Sequence, residues 1–213
     1  MTARVPSSPN GKADGSMTRL LIATRNPHKT REFAQMLGAD FVLEDLLAHP
    51  EIAEVPEVGT TFTENAHLKA TEVSRQVDGL VLADDSGLEV DSLGGGPGVY
   101  SARYAGERAT DAENRHKLLS ELAPLDADSP RRARFRCVLV LVRAGDVLAM
   151  LEGTVEGCIL EEERGQMGFG YDPLFQPVGF DRTFAELSAE EKNSISHRAV
   201  AVSKLRDFLR AMT

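Results

Sequence analysis

The chain has 213 residues, 42% of them apolar and 27% charged, which suits one domain or two intimate lobes around a shared core. A formal net charge of −9 opposes binding to a polyanion such as duplex nucleic acid, whereas a small anion carrying its own metal ion remains acceptable. Two cysteines, Cys137 and Cys158, lie in apolar surroundings without metal-ligand partners nearby in sequence, so free thiols in a reducing cytosol are expected, and no apolar run is long enough to span a bilayer.

Residues 1–16 are rich in Pro, Ser, Gly and Asn and lack an apolar core. They are expected to form a disordered tail over residues 1–17, not a secretory signal, with Met17 as an alternative start and one domain over residues 18–213. Leu20-Leu21-Ile22-Ala23 suits a first buried strand. Asn26 then has the character of a helix N-cap, Pro27 fits the first helical position, and the helix runs through Phe33, Met36 and Leu37. A helix beginning right after a strand presents free N–H groups to a phosphate, and Lys29 adds a charge in the first turn. Taken alone, the same segment is better read as an ordinary capped helix with a solvated lysine.

Phe41-Val42-Leu43 is expected to be a second strand and Ala48 to Thr60 an irregular acidic loop. Thr61-Phe62-Thr63-Glu64 reads as a capping box opening a helix with apolar positions Phe62, Ala66, Ala70, Val73 and Val77, and with Asn65 and Lys69 on its polar flank. Leu80, Val81 and Leu82 read as a buried strand ending at Asp84 and Asp85, with Gly87 allowing a tight turn after Ser86. Ligands collect beyond the carboxyl ends of strands in open α/β sheets, so two carboxylates there have a geometric reason to form a site. Strand alternation gives them different jobs: one can hold a divalent cation while the other braces backbone. The competing reading is a surface Asp-Asp-Ser-Gly turn.

Gly94-Gly95-Gly96-Pro97-Gly98 matches neither a Walker A loop nor a dinucleotide fingerprint and reads as a mobile connection. Thr110-Asp111-Ala112-Glu113 is another capping box, leading to Leu118, Leu119 and Leu122. Residues 131–142 alternate Arg with small or aromatic residues and then become continuously apolar, which predicts a strand that starts with one solvated face and ends buried. Ala144-Gly145-Asp146 turns it into a partner strand over Val147 to Val155, and the long hairpin implies a mixed sheet. In the stretch 165–173, glycines flanking Phe169 and Tyr171 allow close approach to a flat ligand, or pack Phe169 into the core. Ser188-Ala189-Glu190-Glu191 is a last capping box, and Ile195, Ala199, Val202, Leu205, Leu209 and Met212 mark one C-terminal helix, with Lys192, His197 and Arg198 off its apolar face.

Four segments occur in order: Thr24-x-Asn26-x-x-Lys29, Asp84-Asp85-Ser86-Gly87-Leu88, Gly168-Phe169-Gly170-Tyr171-Asp172-Pro173 and Ser196-His197-Arg198. With Glu57-x-Gly59-x-Thr61-Phe62-x-Glu64-Asn65-Ala66 and Pro97 to Arg103, they make the chain closely resemble the inosine triphosphate pyrophosphatase family over about residues 19–210. The resemblance implies an α/β fold in two lobes, a mixed β-sheet flanked by helices with a long hairpin, and an active site in the central cleft. It implies a cytoplasmic, Mg²⁺-dependent homodimer, without nucleic-acid or membrane partners, that hydrolyses ITP, dITP and XTP to the monophosphate and pyrophosphate. Carried over by position, Asp85 is the general base and a metal ligand, with Glu57 the second carboxylate. Thr24, Arg25, Asn26, Pro27, His28 and Lys29 form the phosphate-binding stretch, in which Arg25 departs from the glycine of many relatives and either crowds the phosphates or adds a contact. Ser86, Phe169, Gly170, Tyr171, Asp172, Lys192, His197 and Arg198 line the nucleotide site. Two other readings are a purine-nucleotide sensor that does not hydrolyse and a pyrophosphatase for modified pyrimidine nucleotides.

Overall fold

The computed structural model describes residues 18–124 and 131–212; the tail expected over residues 1–17 lies outside them. Six strands, β1 (Thr18–Ile22), β2 (Phe41–Asp45), β3 (Leu80–Val90), β4 (Arg132–Arg143), β5 (Asp146–Ile159) and β6 (Phe175–Pro177), form one sheet in the order β2-β1-β3-β4-β5-β6. The first three are parallel and the remainder pair antiparallel, which is the mixed sheet with a long hairpin that the spacing implied. Around it lie α1 (Pro27–Leu37), α2 (Phe62–Ser74), α3 (Asp111–Leu122), α4 (Ala189–Ile195) and α5 (His197–Ala211).

Period-two alternation in β3 sorts the helices. Val81 and Ala83 face Phe62, Ala66, Ala70 and Val73 of α2. Leu80 and Leu82 face Phe33 and Leu37 of α1 and Ala201, Val202 and Leu205 of α5. Farther along, Leu88, Val90 and Phe135 pack with Leu118 and Leu122 of α3 and with Tyr171, Phe175 and Phe184. Helices therefore cover both faces of the parallel end, and a separate apolar cluster closes the antiparallel end.

The helix starts follow their caps. The Asn26 side chain accepts from His28 N and Lys29 N, and Thr110 and Ser188 form complete capping boxes. At Thr61 the box is open: its hydroxyl accepts from Glu64 N, but the Glu64 carboxylate turns to Thr60 N at 2.7 Å. The Gly94–Gly98 segment folds back on β3, with Val90 N donating to Gly96 O at 2.9 Å and Gly95 N to Val90 O at 3.0 Å.

Four expectations need correction. β3 does not end at the paired aspartates; it runs on to Val90 because β4 pairs with it throughout, Asp84 opposite Leu139 and Asp85 opposite Val138. Gly87 is a strand residue and no turn: a Cβ there would lie 2.4 Å from Ser101 Oγ and 2.5 Å from Gly98 O, so close packing against the 3-10 turn Gly98–Arg103 requires glycine. The single C-terminal helix is two, because Ser196 is extended (φ −67°, ψ 160°), ending α4 and capping α5 through Ala199 N. Asn65, placed on a polar flank, is fully buried, its Oδ1 accepting from Gly59 N at 2.8 Å.

Candidate active site

β1 pairs with β3 only as far as Ile22 and Leu82, and β3 continues without it. Asp84 and Asp85 sit just past that divergence, so the site lies where the sheet loses a strand on one side. Alternation sends the two carboxylates to opposite faces. Asp84 turns toward α1 and α5. Lys29 Nζ lies 2.5 Å from its Oδ1, and Arg198 Nη2 donates to Oδ2 at 3.2 Å. The Cys137 thiol donates to that oxygen at 3.6 Å. Burial disfavours its ionised form, but Lys29, Arg198 and Lys69 outweigh burial and hold its carboxyl far below the usual range.

Asp85 turns toward α2 and has much thinner support. Its Oδ1 lies 3.5 Å from Lys69 Nζ, and its buried Oδ2 has no hydrogen-bond partner. Burial raises its pKa, and the neighbouring Glu57 and Asp84 charges push the same way against Lys69 and Lys29. Glu57 accepts from Lys69 at 2.6 Å and from Arg103 Nη1 at 3.1 Å. Burial works against the Glu57 charge too, yet Lys69, Lys29 and Arg103 keep its pKa below the ordinary value. Lys69 thus bridges two carboxylates of unequal basicity.

Among the described residues no cluster of three or more His, Cys, Asp or Glu side chains forms a ready metal cage. The donor set Asp85 plus Glu57 fits a hard divalent cation that keeps waters and takes its remaining ligands from phosphates. An unpartnered, buried, electron-rich oxygen at Asp85 is where such a cation would be drawn.

A cleft of about 850 Å³ opens beside these groups, lined by Thr24, Asn26, Lys29, Glu57, Lys69 and Arg103 among others. Beyond Lys29, Phe169 lies against His28 with ring centroids 5.4 Å apart, and Lys192 Nζ stands 4.9 Å from the Phe169 ring centre. Lys192 donates to Asp172 Oδ2 at 2.6 Å and to Glu32 Oε1 at 2.8 Å. Arg198 joins Glu32, Asp84 and Ser86 Oγ, the last at 2.9 Å. His197 is buried and stacks on Phe135 at 4.9 Å, with Nδ1 unpartnered; burial and the nearby Arg198 and Lys192 charges keep it neutral.

The sequence-derived residues therefore converge, with four differences in detail. The helix N-terminus behind Asn26 has no free amides: Pro27 carries none, His28 N and Lys29 N bond the Asn26 side chain, and Thr30 N bonds Asn26 O at 3.2 Å. Arg25 points away from the phosphate-binding stretch, donating to Leu46 O at 2.7 Å and Ile52 O at 2.5 Å. Tyr171 belongs to the core, its hydroxyl donating to Ser101 O at 2.9 Å, while Phe169 is the half-exposed ring of that loop. Lys192, His197 and Arg198, which spacing placed only off an apolar face, are buried.

Sequence reasoning missed Lys69, Arg103 and Glu32 as parts of the site. Lys69 lies four residues after Asn65, and Glu32 three after Lys29, so helical spacing placed each beside a marked residue. Their partners are distant in sequence and left no local signal.

Comparison with known proteins adds four findings. The model of the Ham1 family matches residues 20–208. A Bacillus subtilis protein named dITP/XTP pyrophosphatase is 48% identical over 196 residues, covering 92% of this chain and 98% of that one. Its namesake from Bacillus licheniformis is 50% identical over 194 residues, covering 91% and 98%. The solved structure of a HAM1 protein from Coxiella burnetii superposes with a TM-score of 0.83 at 40% identity, covering 92% of this chain and all of the other.

Proposed function

The chain belongs to the Ham1 family, and from that premise we propose that it hydrolyses the non-canonical purine nucleoside triphosphates ITP, dITP and XTP to the monophosphate and pyrophosphate. The observation that carries the reading is Asp85: a buried carboxylate of raised basicity, with one oxygen unpartnered, beside a cleft lined by Lys29, Lys69 and Arg103. A nucleotide sensor needs no such base, and the regulatory reading has no use for it.

Water attacks the α-phosphorus and pyrophosphate leaves. Asp85 orients the attacking water and accepts its proton, for which its raised affinity for protons suits it. Lys29, Lys69 and the Thr24 hydroxyl face the phosphates, and the positive end of α1 adds its partial charge although its amides are capped. Asp85 and Glu57 would hold Mg²⁺, which when bound would supply charge neutralisation of the leaving pyrophosphate and a more acidic water. Lys69 keeps Glu57 ionised, and Arg103 fixes its backbone carbonyl through Nη2 at 3.1 Å.

The base stacks on Phe169, and His28 must move aside, because a 5.4 Å ring spacing leaves no room for a third ring between them. A 6-oxopurine offers an O6 acceptor and an N1–H donor, and adenine offers the reverse. Lys192 and Arg198 are committed to Glu32, Asp172 and Asp84, so they fix the wall against which the purine edge is read. Mispairing of buried polar groups there supplies discrimination on the order of 10⁴-fold. The proposal includes a homodimer acting in the cytoplasm on the nucleotide pool.

The test compares pyrophosphate release from ITP, dITP, XTP, GTP, ATP and modified dUTP or dTTP at one Mg²⁺ concentration. Turnover of the first three well above the rest is expected, and chelation of Mg²⁺ should stop it. Preferential cleavage of a modified pyrimidine nucleotide would replace this reading with the pyrimidine one. Binding of ITP without pyrophosphate release would favour the sensor.

A further inference from the structure

We propose that Asp111 and Arg115 of α3 are positioning residues that hold the Gly168–Asp172 loop, and Phe169 with it, at the place where the base binds. The proposal rests on the reading of Phe169 as the stacking ring. Asp111 Oδ2 accepts from Gly170 N at 2.7 Å, and Arg115 Nη1 donates to Gly170 O at 2.9 Å. Two side chains one helical turn apart thus take both polar groups of a single loop residue, the neighbour of Phe169. Both bonds involve a charged partner, which strengthens them. Arg115 also forms an ion pair with Glu163, at 2.9 Å between Nε and Oε1 but outside hydrogen-bond geometry, and its side chain is only 15% exposed.

The helix start does not rely on Gly170. The Thr110–Glu113 capping box completes its first turn, and Leu118 and Leu122 bury its inner face. Its remaining polar contacts run to the other wall of the site: Asn114 accepts from Ala105 N at 2.8 Å and donates to Ala102 O at 3.1 Å, and Lys117 donates to Tyr104 O at 2.7 Å. Those residues flank Arg103, which holds Glu57. α3 therefore fastens the base loop to the segment that carries the partner of Glu57, while neither Asp111 nor Arg115 lines the cleft. Within the loop, Asp172 fixes the Phe169 N–H at 2.9 Å and Tyr171 anchors the far side through Ser101 O. Gly170, between them, depends on α3.

The chain has no tryptophan, so Phe169→Trp supplies a single reporter on this loop. In that background, Asp111→Ala and Arg115→Met should raise acrylamide quenching of the tryptophan, and Asp111→Asn, which keeps the acceptor oxygen, should restore the parent value. With Phe169 intact, Asp111→Ala should raise KM for dITP about tenfold, the effect of losing one charge-assisted bond, with kcat within about twofold. Unchanged quenching and unchanged KM in the alanine variant would overturn the proposal. If Arg115→Met fails to fold, the exposed first-turn Asp111 carries the test. Quenching is read without turnover, so absence of dITP hydrolysis by the wild-type chain would sink the functional reading and leave this one to be decided by the reporter.

Discussion

Asp84 and Asp85 are the same side chain at consecutive positions, and their surroundings make them different reagents. Asp84 faces two cations and a thiol and stays ionised as a brace; Asp85 shares one lysine with Glu57 and keeps an oxygen bare. Burial of that second charge is poorly compensated, which is a stability cost accepted for a basic group. Asp85→Asn should therefore lower turnover by about 10²–10⁴-fold while raising the melting temperature of the metal-free protein. Asp84→Asn should do the reverse to stability, losing about 3–5 kcal/mol as Lys29 and Arg198 are left short of a counter-charge. Thermal melts of both variants, paired with pyrophosphate assays, check this; an Asp85→Asn protein that melts lower than wild type would make Asp85 a structural ion-pair partner.

At the scale of elements, periodicity and caps located β1 to β5 and all five helix starts except the one at His197. The lapses have one physical origin, contacts between elements that no local pattern records. Asp-Asp-Ser-Gly has turn composition, yet β4 supplies a hydrogen-bond partner for the whole of β3 and overrides it. Ser196 sits inside an unbroken apolar period, and only its position as the cap of α5 breaks the helix. That break turns His197 and Arg198 inward, and their placement depends on Gly153 of β5. A Cβ at Gly153 would meet His197 O at 2.0 Å and Ala201 N at 2.6 Å, both backbone atoms that cannot swing aside. Gly153→Ala should cost about 1–3 kcal/mol by overpacking. Its melting temperature should fall by about 2–4 °C for each kcal/mol, and its KM for the nucleotide should rise as Arg198 shifts. A Gly153→Ala protein with wild-type melting and KM would show that α5 can slide on the sheet without moving the site.

Over the whole molecule, an acidic chain holds a charge-balanced interior. Lys29, Lys69, Arg103, Lys192 and Arg198 pair with Glu32, Glu57, Asp84, Asp85 and Asp172, so the surface carries the excess negative charge while the cleft holds its cations on fixed supports. Glu32 joins α1 to Lys192 of α4 and Arg198 of α5, across 160 and 166 residues of sequence, which is why no motif disclosed it. Burial disfavours its charge, but Arg198 and Lys192 prevail and lower its pKa. A depressed carboxyl stabilises fully above its unfolded value of about 4.3 and loses that contribution as pH falls toward the folded value. Glu32→Gln should cost about 1–3 kcal/mol at pH 7, less than stripping a buried charge bare, because Lys192 retains Asp172 and Arg198 retains Asp84 and Ser86. The difference from wild type should then shrink as the pH is lowered from 5 to 3, since acid protonates Glu32 in the wild-type protein and the variant has nothing to lose there. The Glu32 charge also helps burial to raise the Asp172 pKa, so its removal lowers that pKa and offsets part of the shrinkage. Urea denaturation of the pair across that range measures the difference directly, and one that stays constant with pH would mean that Glu32 acts by packing and hydrogen-bond shape, with its charge contributing nothing to the joint between the helices.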